Sequence, residues 1–220
     1  GDLQLADFRI GRLQHLAPKP YFAPISLAGN VKLGRKRLTM NALGGIPGKR
    51  YLKLAAVHGL DTGEGNLKLD VTPLTFSPGA LQPVALFPEL AMLESVSGSA
   101  SASNHFSWLK QGIKSGAEIN LQNLSFTQNG TTISGLSATL QLTDLLSPRS
   151  LPQQKITIQR IDPGVLMENM EIIYKIQGTD STQLAIDKAQ LSMIGGTLST
   201  GPTVIDPLSS STDVVFQVTD

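Results

Sequence analysis

The sequence of 220 residues has no cysteine, a single tryptophan, and only 5% aromatic and 16% charged residues. The missing cysteine excludes a disulfide framework, thiol catalysis and cysteine-ligated metal sites, and it is neutral about redox compartment. No window approaches the roughly 18 to 20 apolar residues that a helix needs to cross a bilayer. The chain opens at Gly1 without the charged start and apolar run of a signal segment, and we expect it to be a piece of a longer protein. Low charge and frequent Ser and Thr suit strands and turns better than a charged helical bundle. One or two domains fit this length, with about 70% of the unfolded surface available for burial. The net charge of +1 hides an asymmetry: residues 1–70 hold 11 Lys/Arg against 5 Asp/Glu, and residues 71–220 hold 7 against 12.

Reaction motifs are equally scarce. His15, His58 and His105 each stand without a second His or a carboxylate at ligand spacing, so they fit surface or packed positions better than a metal site. Gly63-Glu64-Gly65 lacks the Gly-Lys-Ser/Thr ending and the strand-to-helix context of a phosphate loop. Asp61-Thr62-Gly63 is the tripeptide with which aspartic proteases place a catalytic carboxylate. It is followed by the charged Glu64 and has no second copy, so Asp61 fits a turn between two strands better. We expect no enzyme activity, no cofactor, no metal and no nucleic-acid partner. The basic cluster Lys32, Arg35, Lys36 and Arg37, with Lys49, Arg50 and Lys53 beyond a Gly-rich turn, is either a solvated strand face or a contact for anionic lipid headgroups. Tyr51 is the only aromatic residue nearby, so the stacking platform that single-stranded nucleic acid requires is absent.

What is abundant is alternation of apolar with polar residues between clusters of Gly, Asn, Ser and Pro, the mark of half-buried strands. Glu118-Ile119-Asn120-Leu121-Gln122 alternates cleanly, as do Ala138-Thr139-Leu140-Gln141-Leu142 and Lys155-Ile156-Thr157-Ile158-Gln159. The pattern continues through residues 171–176, 183–187 and 214–218. The best helical spacing, at Val84, Leu86, Phe87, Leu90 and Leu93, is limited by Pro88 to a short or broken helix over 83–93. Residues 95–103 resemble a Ser-Gly linker, but Val96, Ala100 and Ala102 alternate with serines and predict a strand. Glycines at 29, 65, 98, 135, 164 and 196 each precede alternating residues and suggest a loose repeat of β units. The predicted fold is all-β: an elongated, strongly curved antiparallel sheet of repeated strand units with at most one or two short helices. An N-terminal β segment (1–97) carries the basic face and the short helix, and a second β segment (98–220) continues it.

From Gly98 onward the order of these strands resembles a known family. The residues that carry it are Gly116-Ala117-Glu118-Ile119-Asn120-Leu121-Gln122-Asn123-Leu124-Ser125-Phe126, then Ile133-Ser134-Gly135-Leu136-Ser137-Ala138-Thr139-Leu140. They continue through Ile161-Asp162-Pro163-Gly164-Val165, Met170-Glu171-Ile172 and residues 184–191 to Gly195-Gly196-Thr197-Leu198. This pattern resembles the YdbH-like proteins of the AsmA-like group, periplasmic members of the bridge-like lipid transfer proteins. The resemblance implies a periplasmic protein, anchored to the inner membrane by an N-terminal helix, that moves phospholipids toward the outer membrane. It further implies a taco-shaped sheet with an apolar groove and a small outer-membrane lipoprotein as partner.

The residues themselves lead to a compatible expectation, because a sheet with one apolar face must cover it with a second sheet, a helix or a ligand. Ile119, Leu121, Leu140, Leu142, Ile156, Ile158, Ile172, Tyr174, Leu184 and Ile186 are expected to share one face and to line the groove for acyl chains. Lys32, Arg35, Lys36 and Arg37 are the candidates for headgroup contact. Two rivals stand beside this expectation: a β-sandwich binding or adhesion module without a groove, and an aspartic hydrolase built on Asp61. Residues 214–218 predict a final strand whose open edge invites strand addition, by the lipoprotein or by a second copy of the chain.

Overall fold

The computed structural model describes residues 2–10, 22–178, 182–206, 208, 209, 211 and 213–219, so His15 lies outside the described residues. Five strands come first: β1 (Asp2–Ile10), β2 (Ile25–Leu33), β3 (Arg37–Ile46), β4 (Lys49–Gly59) and β5 (Gly65–Phe76). The longest three follow, β6 (Glu94–Leu109), β7 (Gly112–Gln128) and β8 (Thr131–Asp144). After the short β9 (Arg149–Ser150) come β10 (Gln154–Asp162), β11 (Met167–Gln177) and β12 (Gln183–Met193). The chain finishes with β13 (Gly196–Thr200), β14 (Thr203–Ile205) and β15 (Phe216–Thr219).

All fifteen strands belong to one sheet, in which neighbours in sequence are almost always neighbours in space. The order runs β1 to β8, then β10 to β13 and β15, with β9 paired to β8 and β14 to β12. Every pairing is antiparallel, and β1 and β15 form two edges that do not meet. The predicted open all-β sheet is therefore the observed one, and no second sheet exists among the described residues to make a sandwich. Its accessible surface is 13842 Å², whereas a compact protein of this mass exposes about 9,700 Å². That excess belongs to a sheet with little layered upon it.

Local sequence explains the meander. Asn129-Gly130 joins β7 to β8 with both residues at positive φ (49° and 80°), the geometry of a two-residue turn whose twist matches the flanking strands. Residues 95–103 run inside β6, as their alternation predicted. The predicted short helix is instead two 3-10 turns, Pro83–Ala85 and Pro88–Met92, separated by Phe87 in an extended conformation (φ −129°, ψ 96°). Pro88 enforces that break, since its ring pushes the preceding residue out of the helical region. The glycine repeat does not mark equivalent units. Gly65 and Gly196 open strands, Gly98 and Gly135 lie within them, and Gly164 is in a turn, because glycine answers several unrelated backbone demands.

The most consequential irregularities form a line. Register shifts fall between Val71 and Leu74 in β5, between Ser97 and Ser99 in β6, and between Leu121 and Leu124 in β7. Gly98, Asn123 and Gly135 stand there at positive φ. Bulges bend a strand and strengthen its twist, and aligned bulges bend the whole sheet. The amides freed from the ladder are satisfied in reciprocal fashion: Asn123 N–H donates to Ser137 Oγ at 3.0 Å, and Gly135 N–H to Ser125 Oγ at 3.1 Å. A Cβ on Gly98 would lie 2.5 Å from the Asn123 carbonyl oxygen, so the bend depends on that glycine. Gly98→Val should lower stability by about 2–3 kcal/mol through strain at positive φ and this clash. Urea denaturation of the two chains checks it; a loss below about 0.5 kcal/mol would mean that the bend tolerates a side chain.

Candidate functional site

The register assigns every strand residue to one of two faces, because side chains alternate along each strand and directly paired residues share a side. One row runs Leu27, Gly44, Leu52, Val71, Ala102, Ile119 and Leu140 across β2 to β8. Past the bulge line another runs Leu74, Ala100, Leu121, Ala138, Ile156, Ile172 and Ala189 across β5 to β12. Both rows lie on the same face, and it is mainly apolar from one end of the sheet toward the other, with Asn104, Ser115 and Gln154 as polar members. All ten apolar residues singled out in the sequence are on it: Leu142 pairs with Ala117, Ile158 with Met170, Tyr174 with Ile186, and Leu184 with Ile176.

One device keeps the late strands in phase. Ile173 pairs with Lys188 and Tyr174 with Ile186, so Asp187 is an extra residue in β12. That bulge leaves Ile186 and Ala189 on one face despite their odd separation, and it brings Leu191 there too. Simple alternation from Leu184 and Ile186 misses both. Sequence reasoning also missed the earlier half of the face, with Leu54, Leu67, Leu69 and Val71, although residues 66–71 alternate as cleanly as the later strands.

Most of this face is half-buried, with nothing among the described residues packed over it. Ile158, Tyr174 and Ile186 are buried, while Ile119, Leu121, Leu140, Leu142, Ile156, Ile172 and Leu184 are intermediate and outward Gln141 is exposed. Burial raises the hydroxyl pKa of Tyr174 and of Tyr51. The exception to the open face is the connection 77–93, which folds over one end of it as a strap. Leu86, 3% exposed, joins Tyr51, Leu52, Leu74, Phe76 and Val96 in the one buried cluster, with Leu81 and Leu93 packed against it. Gln82 holds the strap down: its amide nitrogen donates to the Val96 and Ser77 carbonyls at 2.8 Å each, and its carbonyl accepts from Val96 N–H at 2.8 Å. Ala23 N–H adds a bond to the Leu86 carbonyl at 2.7 Å. Gln82→Ala should cost about 1–3 kcal/mol, because it leaves buried backbone groups of Val96 unpaired. Hydrogen exchange at the Val96 amide should quicken while Leu140 is unchanged; equal rates in both chains would count against the tie.

The opposite face is polar and cross-linked strand to strand. Ser103 donates to Asp70 at 2.6 Å beside the Lys68–Asp70 pair at 3.1 Å, Asn120 and Gln141 donate to Glu118, and Lys155 meets Glu171 at 2.6 Å. The Ser103 hydroxyl, then Lys68, hold the Asp70 carboxyl below its ordinary range; Asn120 and Gln141 do so for Glu118, and Lys155 for Glu171. At the end of β8 the amides of Leu146 and Ser147, then the Ser115 hydroxyl, act likewise on Asp144. A carboxyl depressed by folding contributes stability above its unfolded pKa of about 4, and that contribution is lost as pH falls through the lower folded value. The thermal midpoint should therefore drop between pH 6 and pH 2, and by less in Asp70→Asn, which has no such proton to take up. Identical drops in the two chains would remove Asp70 from the account.

The predicted headgroup residues do not share one surface. Lys32 and Arg37 are on the polar face at the ends of β2 and β3, and Arg35 and Lys36 occupy the turn between them. Lys36 is engaged by Asp61 at 3.2 Å, and its carbonyl accepts from Leu60 N–H at 2.9 Å. Asp61 is half-exposed in the turn between β4 and β5. His58 accepts a hydrogen bond at Nδ1 from Trp108 Nε1 at 3.0 Å, and the His105 ring lies where a side chain on Gly116 would stand. No group of His, Asp and Glu among the described residues is arranged to hold a metal.

The register thus gives the sheet one long, mainly apolar face and one polar face. The YdbH-like family, whose description is "Intermembrane phospholipid transport protein YdbH", matches residues 7–220. The chain belongs to the YdbH-like family. The match takes in residues 7–97 as well as the later strands that carry the resemblance in the sequence. Neither a curated protein nor a solved structure matches the chain. YdbH-like proteins are a phospholipid transport family rather than an enzyme family. No helix among the described residues is long and apolar enough to cross a membrane.

Proposed function

We propose that the apolar face of the sheet is a groove for phospholipid acyl chains, in a segment of a periplasmic protein that carries lipid between the inner and outer membranes. The observation that carries this reading is the mainly apolar face that overlapping rows carry from β2 to β12, interrupted at Asn104, Ser115 and Gln154 and for the most part left half-buried by the fold. Burying hydrocarbon against such a face gains about 25 cal/mol per Å², so an acyl chain supplies the missing layer without any polar pocket. Ile119, Leu121, Leu140, Leu142, Ile156, Ile158, Ile172, Tyr174, Leu184 and Ile186 line it in the later strands. Inner-membrane anchoring would be supplied by a part of the protein outside this sequence. The outer-membrane lipoprotein implied by the resemblance would add a strand beside β15, whose four residues are exposed and whose partner in the sheet is β13. The same edge would serve self-association of the isolated piece.

Photo-crosslinkers placed at Leu140 and at Tyr174 should capture phospholipid in cells, while one at Gln141 on the polar face should not. Equal labelling at all three positions would remove the groove assignment. So would an absence of labelling at Leu140 and Tyr174 together.

A further inference from the structure

One row of the apolar face differs from the others. Leu33, Leu38, His58, Gly65, Trp108 and Ile113 are successive cross-strand partners from β2 to β7. They form the last row before the turns at one rim. Trp108 is the only tryptophan in the chain, and its ring lies against Gly65, where any Cβ would strike it. Its indole N–H points along the row to His58, with the two ring centroids 6.0 Å apart. Leu33 and Ile113, at the ends of the row, are 52% and 58% exposed. One row inward the residues are Val31, Met40, Ala56, Leu67 and Phe106, all hydrocarbon or thioether, and then Ser115, whose hydroxyl is taken up by Asp144 and the Leu145 amide.

One step outward lie the cations of the turns. Asp61 neutralises Lys36, and Glu64 accepts the backbone N–H of Lys110 at 3.2 Å. The Arg35 guanidinium and the Lys110 ammonium have no ion-pair partner among the described residues. From the interior outward, the surface is hydrocarbon, then an aromatic ring with one polar handle, then free cations. A phospholipid has the same order from acyl chain through ester to phosphate, and tryptophan favours the middle of it.

We infer that this rim is a headgroup site: the phosphate of a groove-held phospholipid sits at the turn between β6 and β7 beside Lys110, with Trp108 and His58 at the level of its ester groups. Arg35 offers a second phosphate position about 20 Å further along the rim, four strands away. The cations make the site favour lipids of net negative headgroup charge. The inference rests on the groove reading and assigns it a polarity, chains inward and headgroups at the rim that carries Trp108.

The single tryptophan is its own reporter. The chain is titrated with monomeric dihexanoylphosphatidylglycerol, with dihexanoylphosphatidylcholine and with glycerol 3-phosphate. Phosphatidylglycerol should shift Trp108 emission to the blue and bind about fivefold more tightly than phosphatidylcholine, an advantage lost in Lys110→Glu, reduced in Lys110→Gln and screened by 0.5 M salt. Glycerol 3-phosphate should leave the emission unchanged; a response to it of equal affinity would make this a free-phosphate site and overturn the lipid assignment. Equal affinity for the two lipids, or an unchanged Trp108 signal while Leu140 still crosslinks lipid, would overturn the rim and leave the groove standing. No lipid at either Trp108 or Leu140 would overturn both.

Discussion

Side chains on a strand alternate with a period of two, so a single unpaired residue moves everything beyond it to the other face. An open sheet of fifteen strands therefore keeps one apolar side only if the apolar spacing of each strand shifts with its own irregularities, as at Asp187 in β12. The shift after Val71 in β5 is met in β6 near Gly98, that in turn by Asn123 in β7, and Gly135 continues the line in β8. Ser125 and Ser137 hold the freed amides, so the line costs the ladder few unpaired groups. The same bulges that preserve the phase also bend the sheet. Continuity of the apolar face and curvature of the sheet thus have one cause.

Keeping that face open has an energetic consequence. Apolar surface left in water forgoes about 25 cal/mol for each Å² that a covering layer would bury, and exposed patches of this kind mark binding surfaces. The strap over 77–93 covers one end, where Leu86 completes the buried cluster with Phe76 and Val96. Elsewhere the face carries no covering layer among the described residues. An apolar surface of this extent agrees with membership of an intermembrane phospholipid transport family.

The polar face performs a different task. Its hydrogen bonds and ion pairs, such as Ser103 with Asp70 and Lys155 with Glu171, cross from strand to strand and add small increments that salt and acid weaken. They also place charge on the side away from the apolar face, which discourages the sheet from stacking on another copy of itself through that side. The two faces differ because their residues were sorted by period, not because any segment of the chain is wholly apolar.

Much of this is legible in the amino-acid sequence alone. Clean alternation at 118–122, 138–142 and 155–159 specifies strands and the residues that share a side, since pleating alone decides that. Pro88 specifies a break in the only helical pattern, and Asn129-Gly130 specifies a tight hairpin. Other features depend on contacts that local pattern does not encode. That Gly98 lies in a strand, opposite a bulge in β7, and not in a linker depends on the backbone of Asn123 against it, and the place of Ala189 and Leu191 is decided by the extra residue at Asp187. The covering of Val96 by Gln82 and Leu86, and the meeting of His58 with a tryptophan fifty residues away, required the hairpins to be stacked first. Sequence determined the period of the strands; tertiary pairing determined the phase, because phase is a relation between strands and no single strand contains it.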